Sequence, residues 1–221
     1  MTFLQSPVME LAACLCGGYL LGSIPFGLIV TRLGGAGDIR KVGSGNIGAT
    51  NVLRTGRRDL ALITLLGDGG KGAAAALIAG ALVSPLAAVV AGGAAFLGHI
   101  FPVWLGFKGG KAVATFFGVL FGIAWPVGLA AGATWIAMAL VFRISSLSSL
   151  TAAVMAPLLF VILHQWLVAL HLSTTEGLWL SVGMALLIFL RHDGNIRRLL
   201  KGQEPRIGGS KATAVVCNTG P

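Results

Sequence analysis

The sequence predicts an all-α, polytopic membrane protein with seven transmembrane helices, its N-terminus outside and its C-terminus in the cytoplasm. Three observations carry this. Hydrophobic residues make up 56% of the 221 and charged residues only 10%, where a soluble domain carries about 25%. A soluble chain of this length cannot bury so much apolar surface in one core, whereas lipid can act as its solvent. The apolar residues gather into runs near the length of a membrane span. The sixteen Lys and Arg residues stand mostly in short segments between those runs, as the positive-inside rule expects of cytoplasmic loops. The 33 glycines fit as well, since small residues let membrane helices pack closely.

The runs cover roughly 10–32, 59–82, 85–102, 112–124, 126–142, 148–170 and 177–191, against a need of about 20 residues per crossing, range about 17–25. Met1 to Glu10 holds no basic segment ahead of the first run. That run therefore reads as a retained helix and not as a cleaved signal peptide. The stretch 112–142 could be one long helix, but Trp125-Pro126 and Gly128 offer a break at its centre, because proline disrupts a helix interior. Charge decides between the readings. With seven crossings, Arg32 to Arg58, Lys108, Lys111, Arg143 and the basic residues from Arg191 to Lys211 all fall on the inside. With 112–142 as one crossing, Arg143 and the tail move outside, against the orientation rule. Five crossings remain if two pairs of runs fall short of full spans. Cys14 and Cys16 sit in the first run as small hydrophobes, Cys217 lies in the tail, and no disulfide framework is suggested. Without an internal repeat or a soluble domain, residues 1–208 read as a single transmembrane domain and 209–221 as a flexible C-terminal tail.

The segments between the runs are rich in groups that hold anions. Gly37 to Arg58 reads GDIRKVGSGNIGATNVLRTGRR, where Gly43, Gly45 and Gly48 alternate with Ser44, Asn46, Thr50 and Asn51, and Arg54, Arg57 and Arg58 add charge. Glycine lets backbone amides approach an anion and form a nest around it; the bland alternative is a tight turn with solvated arginines. Gly98 to Thr115, GHIFPVWLGFKGGKAVAT, sets Gly109, Gly110 and Lys111 at the entry of an apolar run, pointing amides and a lysine at a helix end where anions bind. The GxxxxGK[ST] spacing of a Walker loop is absent, and orientation charge alone would also account for Lys108 and Lys111. Asp68 and Lys71 share one face of an otherwise apolar helix. An intramembrane ion is functional until explained away; here a structural ion pair that buttresses the first loop is the favoured explanation. RISSLSS, Arg143 to Ser149, opens a helix whose serines cap it or face a ligand, with capping favoured. In RHDGNIRRLL, Arg191 to Leu200, His192, Asn195 and Arg198 lie one turn apart provided the last helix continues. The topology brings all five clusters to one membrane face, rich in hydroxyls, amides and positive charge. That face suits an anionic, phosphorylated ligand beside lipid, not nucleic acid. Asp38, Asp59, Asp68, Asp193 and Glu204 are too scattered to suggest a metal site.

GSGNIGATN (Gly43 to Asn51), DGGKG (Asp68 to Gly72), HIFPVWLGFKGGKAVAT (His99 to Thr115), SLSS (Ser146 to Ser149) and RHDGNIRRLLKGQEPRIG (Arg191 to Gly208) together resemble, in order and spacing, the acyl-phosphate-dependent glycerol-3-phosphate acyltransferases of bacterial membranes. The resemblance covers the chain apart from its C-terminal tail. It implies seven helices with the N-terminus outside, a place in the bacterial inner membrane and an active site facing the cytoplasm. The implied reaction moves a fatty acyl group from acyl phosphate to the 1-hydroxyl of glycerol 3-phosphate. The products are 1-acylglycerol 3-phosphate (lysophosphatidic acid) and phosphate, in the first acylation step of phospholipid synthesis. No cofactor is implied, and neither acyl-CoA nor acyl carrier protein is a direct donor. The implied catalytic residues are Ser44, Lys111, His192 and Asn195. The implied phosphate-binding residues are Gly43, Gly45, Asn46, Thr50, Asn51, Arg54, Gly109, Gly110, Ser149 and Arg198, with Asp68 and Lys71 as a structural pair. The expected partners are the two substrates, membrane lipid and the enzyme that supplies acyl phosphate; the chain itself is expected to be a monomer.

Two departures from the family pattern stand out. Ala112 follows the GGK lysine where family members commonly have Gly, and it is strained if its φ is positive but harmless if helix-like. Gly69 and Gly70 replace larger apolar residues inside the second helix, at a cost of roughly 2 kcal/mol against alanine. The HxxxxD arrangement of the other large acyltransferase class is missing, because no histidine has Asp five positions later. His171 has Glu176 there, on the outer face. Two rivals are weaker. A transporter of an anionic small molecule should show inverted repeats and a midplane site, and a metal-dependent phosphatidyl transferase needs clustered carboxylates.

Overall fold

Serine and proline set the first helix of the computed structural model, which describes residues 6–208. Ser6 caps α1 (Pro7–Gly22), its Oγ accepting from Met9 N at 3.3 Å. The chain breaks at Ile24-Pro25 and resumes as α2 (Phe26–Leu33), so the first apolar run is a broken span. A polar segment with two 3₁₀ turns and the short α3 (Ala49–Val52) leads to α4 (Arg58–Leu82). Ser84 Oγ accepts from Ala87 N at 3.1 Å to start α5 (Pro85–Ile100). Then follow α6 (Val113–Ile123), α7 (Trp125–Phe142), α8 (Ser145–Ile162), α9 (His164–Ala169), α10 (Thr175–Arg191) and α11 (Asp193–Leu200). The expected tail, 209–221 with Cys217, lies outside the described residues.

The break anticipated at Trp125-Pro126 is present: Ala124 ends α6, and Pro126 sits in the first turn of α7. One other expectation fails, and the condition set on the last helix is not met. The run 148–170 is not one helix but α8 and α9, parted at Leu163. The last helix does not continue through His192 either. There α10 stops, and the His192 carbonyl starts α11 by accepting from Asn195 N and Ile196 N, both at 2.8 Å.

Among the described residues, five helical stretches are long and apolar enough to cross a membrane: Pro7–Leu33, Arg58–Leu82, Pro85–Leu105, Trp125–Phe142 and Ser145–Ile162. The chain is thus an all-helical membrane protein. α1 packs on α5, α4 on α5 and α6, α7 on α8, and α8 on α10. Small residues set these approaches. A Cβ on Gly18 or Gly22 would run into the backbone of Ala91 or Ala95. The main core, with Phe96, Phe116, Leu120, Phe160, Met184 and Ile188, joins α5, α6, α8 and α10. A smaller cluster of Leu28, Ile39, Ile47, Val52 and Leu60 fixes the polar segment onto α2 and α4.

Lys71 Nζ donates to Asp68 Oδ1 and to the Ile24 carbonyl, both at 2.8 Å. Pro25 cannot continue the helix, and the carbonyl freed at the break takes the lysine. The pair therefore buttresses the α1–α2 junction rather than the loop beyond it. His99 joins them unforeseen: Nδ1 stands 3.4 Å from Asp68 Oδ1 but off the line of a hydrogen bond. All three side chains are buried.

Candidate active site

Segments far apart in sequence meet at one end of the bundle. Gly43, Ser44, Arg54, Lys111, Arg191, Gly194, Asn195, Arg198 and Pro205 line an open cleft of about 420 Å³.

The first segment is built around Asn51. Its Nδ2 is shared among the carbonyls of Ile39, Val42 and Asn46, at 3.1, 2.9 and 2.8 Å. Its Oδ1 accepts from Ser44 N at 3.0 Å and Ser44 Oγ at 3.3 Å. Buried Asn51 shapes the loop and does not face the cleft. Gly43 has φ 55°, and a Cβ there would strike Asn51 Oδ1 and the Arg54 side chain. Gly45 donates back to Val42 O at 3.0 Å, and Asn46 Oδ1 accepts from Ile47 N at 2.9 Å. Thr50 Oγ1 lies 3.5 Å from Ser145 Oγ, linking the segment to α8 outside the cleft lining. Arg54 reaches the cleft with no carboxylate partner among the described residues. Arg57 turns away to Asp59, at 2.7 Å.

The second segment corrects an expectation. Gly109 N donates to Ile100 O and Gly110 N to His99 O, both at 3.1 Å, so these amides are engaged by the end of α5 and form no anion nest. Space explains the glycines instead. A Cβ on Gly110 would fall on His99 Nε2, and one on Gly109 on the carbonyls of His99 and Ile100. Lys111 brings the donor: its Nζ bonds Asn195 Oδ1. Burial pulls the Lys111 ammonium down to about 8; Glu204 opposes this, while Arg198, Arg54 and Arg191 add repulsion. Ala112 has φ 58°, so the strained alternative is the one realised.

No serine caps α8. Ser148 and Ser149 donate instead to carbonyls one turn back, Ile144 at 2.9 Å and Ser145 at 2.8 Å. Ser149 Oγ also accepts from Trp135 Nε1 at 3.0 Å, tying α7 to α8 away from the cleft lining. Ser146 is the serine that reaches the site, donating to Glu204 Oε1 at 2.8 Å.

Glu204 ties the last segment together. Asn195 Nδ2 donates to Oε1, and Arg198 Nε donates to Oε2 at 2.7 Å. Burial favours the neutral acid, but the bonds from Asn195, Ser146 and Arg198 outweigh it and hold the carboxyl below its ordinary value. Arg198 thus lines the cleft with its charge already met. Beyond Glu204, Ile207 N donates to Arg143 O at 2.6 Å and Arg143 Nη2 to Ile207 O at 3.1 Å, pinning this stretch to the α7–α8 corner. His192 is buried behind the cleft lining. Its Nδ1 stands 2.8 Å from the Ile188 carbonyl; a carbonyl only accepts, so Nδ1 carries the proton and Nε2 the lone pair. Burial, then Lys111, lower its pKa to about 4. A second cleft, of about 400 Å³, lies at the other end of α8 and α10 among Phe160, His164, Gln165 and Thr174, with no Lys, Arg, Asp or Glu among the described residues that line it.

Arg191, Gly194, Ser146, Glu204 and Pro205 were not singled out from the sequence. One signal existed: Glu204 is the only acid in the basic stretch 194–206.

The chain matches, over residues 12–202, the model of a family described as glycerol-3-phosphate acyltransferase. It is 62% identical over 205 residues to the glycerol-3-phosphate acyltransferase of Caulobacter vibrioides, covering 92% of this chain and 90% of that one. The counterpart from Paramagnetospirillum magneticum is 56% identical over 206 residues, covering 93% and 98%. Among solved structures, the glycerol 3-phosphate form of PlsY, an integral membrane glycerol 3-phosphate acyltransferase, is similar at a TM-score of 0.80 with 38% identity, covering 90% of this chain and 96% of that one.

Proposed function

The chain belongs to the glycerol-3-phosphate acyltransferase family, and on that footing we propose that it transfers a fatty acyl group from acyl phosphate to the 1-hydroxyl of glycerol 3-phosphate. The observation that carries this reading is the cleft, where Arg54 and Lys111 stand beside Ser44 and Asn195 with no carboxylate among the described residues paired to either cation. Two cations with little counter-charge suit two phosphorylated substrates held side by side. Fixing them in line supplies the orientation term, and donors preplaced where charge develops supply the electrostatic one.

The hydroxyl oxygen attacks the acyl carbon, and the bond from that carbon to the phosphate oxygen breaks. The phosphate leaves with the electron pair and takes the hydroxyl proton. Arg54 and Lys111 neutralise phosphate charge; Ser44 and Asn195 orient oxygens. His192, neutral at physiological pH and set behind the cleft lining, is a positioning group and does not accept the proton. The products are 1-acylglycerol 3-phosphate and inorganic phosphate. Residues 1–208 act as one domain, a monomer with seven crossings in the bacterial inner membrane. The cleft opens to the cytoplasm, where another enzyme supplies the acyl phosphate. A transporter would bind near the membrane midplane, whereas this cleft lies at helix ends.

The test gives the purified protein glycerol 3-phosphate with either acyl phosphate or acyl-CoA and follows both phosphate release and lysophosphatidic acid. Turnover is expected with acyl phosphate alone. Equal rates with acyl-CoA would overturn the donor assignment. No acyl transfer from either donor, with glycerol 3-phosphate flux in liposomes, would favour the transporter.

A further inference from the structure

Lys111 reaches Asn195 from a segment gripped on two sides. On one side the Gly109 and Gly110 amides are bonded to the last carbonyls of α5, with Gly110 pressed against the His99 ring. On the other, a single side chain takes both glycine carbonyls. Arg191 Nη2 donates to Gly109 O at 2.9 Å, and its Nε to Gly110 O at 3.2 Å. A guanidinium is suited to this, because its N–H groups form a rigid fork. Asn195, which receives Lys111 Nζ, lies four residues beyond Arg191. The same corner of the chain therefore registers the lysine segment twice, by backbone and by side chain. The exit of the segment needs such a grip. Ala112 is buried in the left-handed region at φ 58°, and a non-glycine residue stays there only when its surroundings over-determine it.

The geometry points to Arg191 as a positioning residue, whose guanidinium fastens the Gly109 and Gly110 carbonyls and so holds Lys111 Nζ at Asn195. The inference rests on the acyltransferase reading, in which Lys111 meets substrate phosphate. Arg191 also lines the cleft, so the competing role is direct anion binding. Its Nε and Nη2 are committed to carbonyls, which favours the fastening role.

Arg191→Lys separates the two. It keeps the positive charge, but an ammonium cannot reproduce the fork. In a double-mutant cycle with Lys111→Met, glycerol 3-phosphate affinity is measured by calorimetry on purified protein. Arg191→Lys should weaken binding at least tenfold when Lys111 is present and less than twofold when it is Met. Equal weakening in both backgrounds, or full affinity in Arg191→Lys, overturns the proposal. A second readout needs no substrate: the pH dependence of Lys111 acetylation, followed by mass spectrometry. Its midpoint, expected near pH 8 in the natural protein, should rise by at least half a unit in Arg191→Lys as the segment loosens. An unmoved midpoint counts against the fastening role. Should that variant not fold, Arg191→Gln, which keeps one donor arm, replaces it in the binding cycle alone, because losing the Arg191 charge would by itself raise the Lys111 midpoint. Failure of the acyltransferase reading is seen separately, as absent acyl transfer in the natural protein with the acetylation shift intact.

Discussion

At neutral pH the His192 imidazole is uncharged, and burial together with Lys111 opposes its protonation, with a pKa of about 4. A general base works best with a pKa near the operating pH, so His192 is poorly matched to hold the hydroxyl proton. Lys111 is matched to its task over a limited range. Its positive form is complete well below a pKa of about 8 and is lost as the pH rises through it. The efficiency kcat/KM for glycerol 3-phosphate should therefore fall above about pH 8, and Lys111→Arg should remove that limb, since arginine stays charged. On the acid side, a residually active His192→Gln should keep whatever limb the natural enzyme shows in kcat. Its disappearance, with binding unchanged, would restore His192 as the base. Single residues were legible in the sequence where their chemistry is exposed, as with Arg54, Lys111 and Asn195 in the cleft lining. Gly109 and Gly110 were legible as required glycines, but not their reason. Amide donation and close approach ask for the same residue, and His99, which decides between them, lies on another element. Arg191 stayed hidden because it serves backbone carbonyls that no side-chain pattern records.

At the scale of elements, the family departures are settled by packing. Ala112 starts α6 from a left-handed conformation, at about 1–2 kcal/mol. Gly69 lies against α6, with its carbonyl under Gly118, whereas Gly70 lies on the open surface of α4 and differs from the glycines that set this contact. A Cβ on Gly70 meets nothing within 4 Å, whereas one on Gly118 would collide with the Gly69 carbonyl and the Ala73 amide. Identical Gly→Ala changes should then have opposite signs. Gly70→Ala should leave the thermal midpoint in detergent unchanged or raise it, gaining up to about 1 kcal/mol of helix propensity. Gly118→Ala should lower it by several degrees, because α4 and α6 must part to admit a methyl group. Loss of stability in Gly70→Ala, or none in Gly118→Ala, would contradict this account of the helix pair. The break at Leu163 escaped the apolar pattern for a related reason. Hydropathy records how apolar a run is, and this bend leaves it unchanged.

For the whole molecule, the proposed topology follows from two arguments that share no observation. In the sequence, seven crossings keep Lys and Arg out of the outer loops. In the fold, pinned helix ends support the proposed count. The start of α4, the end of α5 and the start of α6 carry segments that converge on the cleft, as does the end of α10. The Arg143–Ile207 bonds and the Thr50–Ser145 contact bring the α7–α8 corner to the same end. So α6 and α7 leave and return as a pair, and α8 and α10 do likewise. With α1, α4 and α5 the proposed count is seven passages, with the N-terminus opposite the cleft; α6 and α10 are shorter than the five stretches long enough to cross alone. Trp125 and Trp166, with ring centroids 6.1 Å apart, mark the far end along with exposed Trp179, the place of an interfacial aromatic belt. The parity can be tested by labelling. With Cys14, Cys16 and Cys217 replaced by alanine, Ser173→Cys in the loop between α9 and α10 should react with a membrane-impermeant maleimide from outside intact spheroplasts. Ser145→Cys, at the cleft end, should react only after the membrane is opened. If residue 145 is labelled from outside and residue 173 is protected, the orientation is reversed. If both are labelled from outside, α8 does not cross, and the count of seven fails with it.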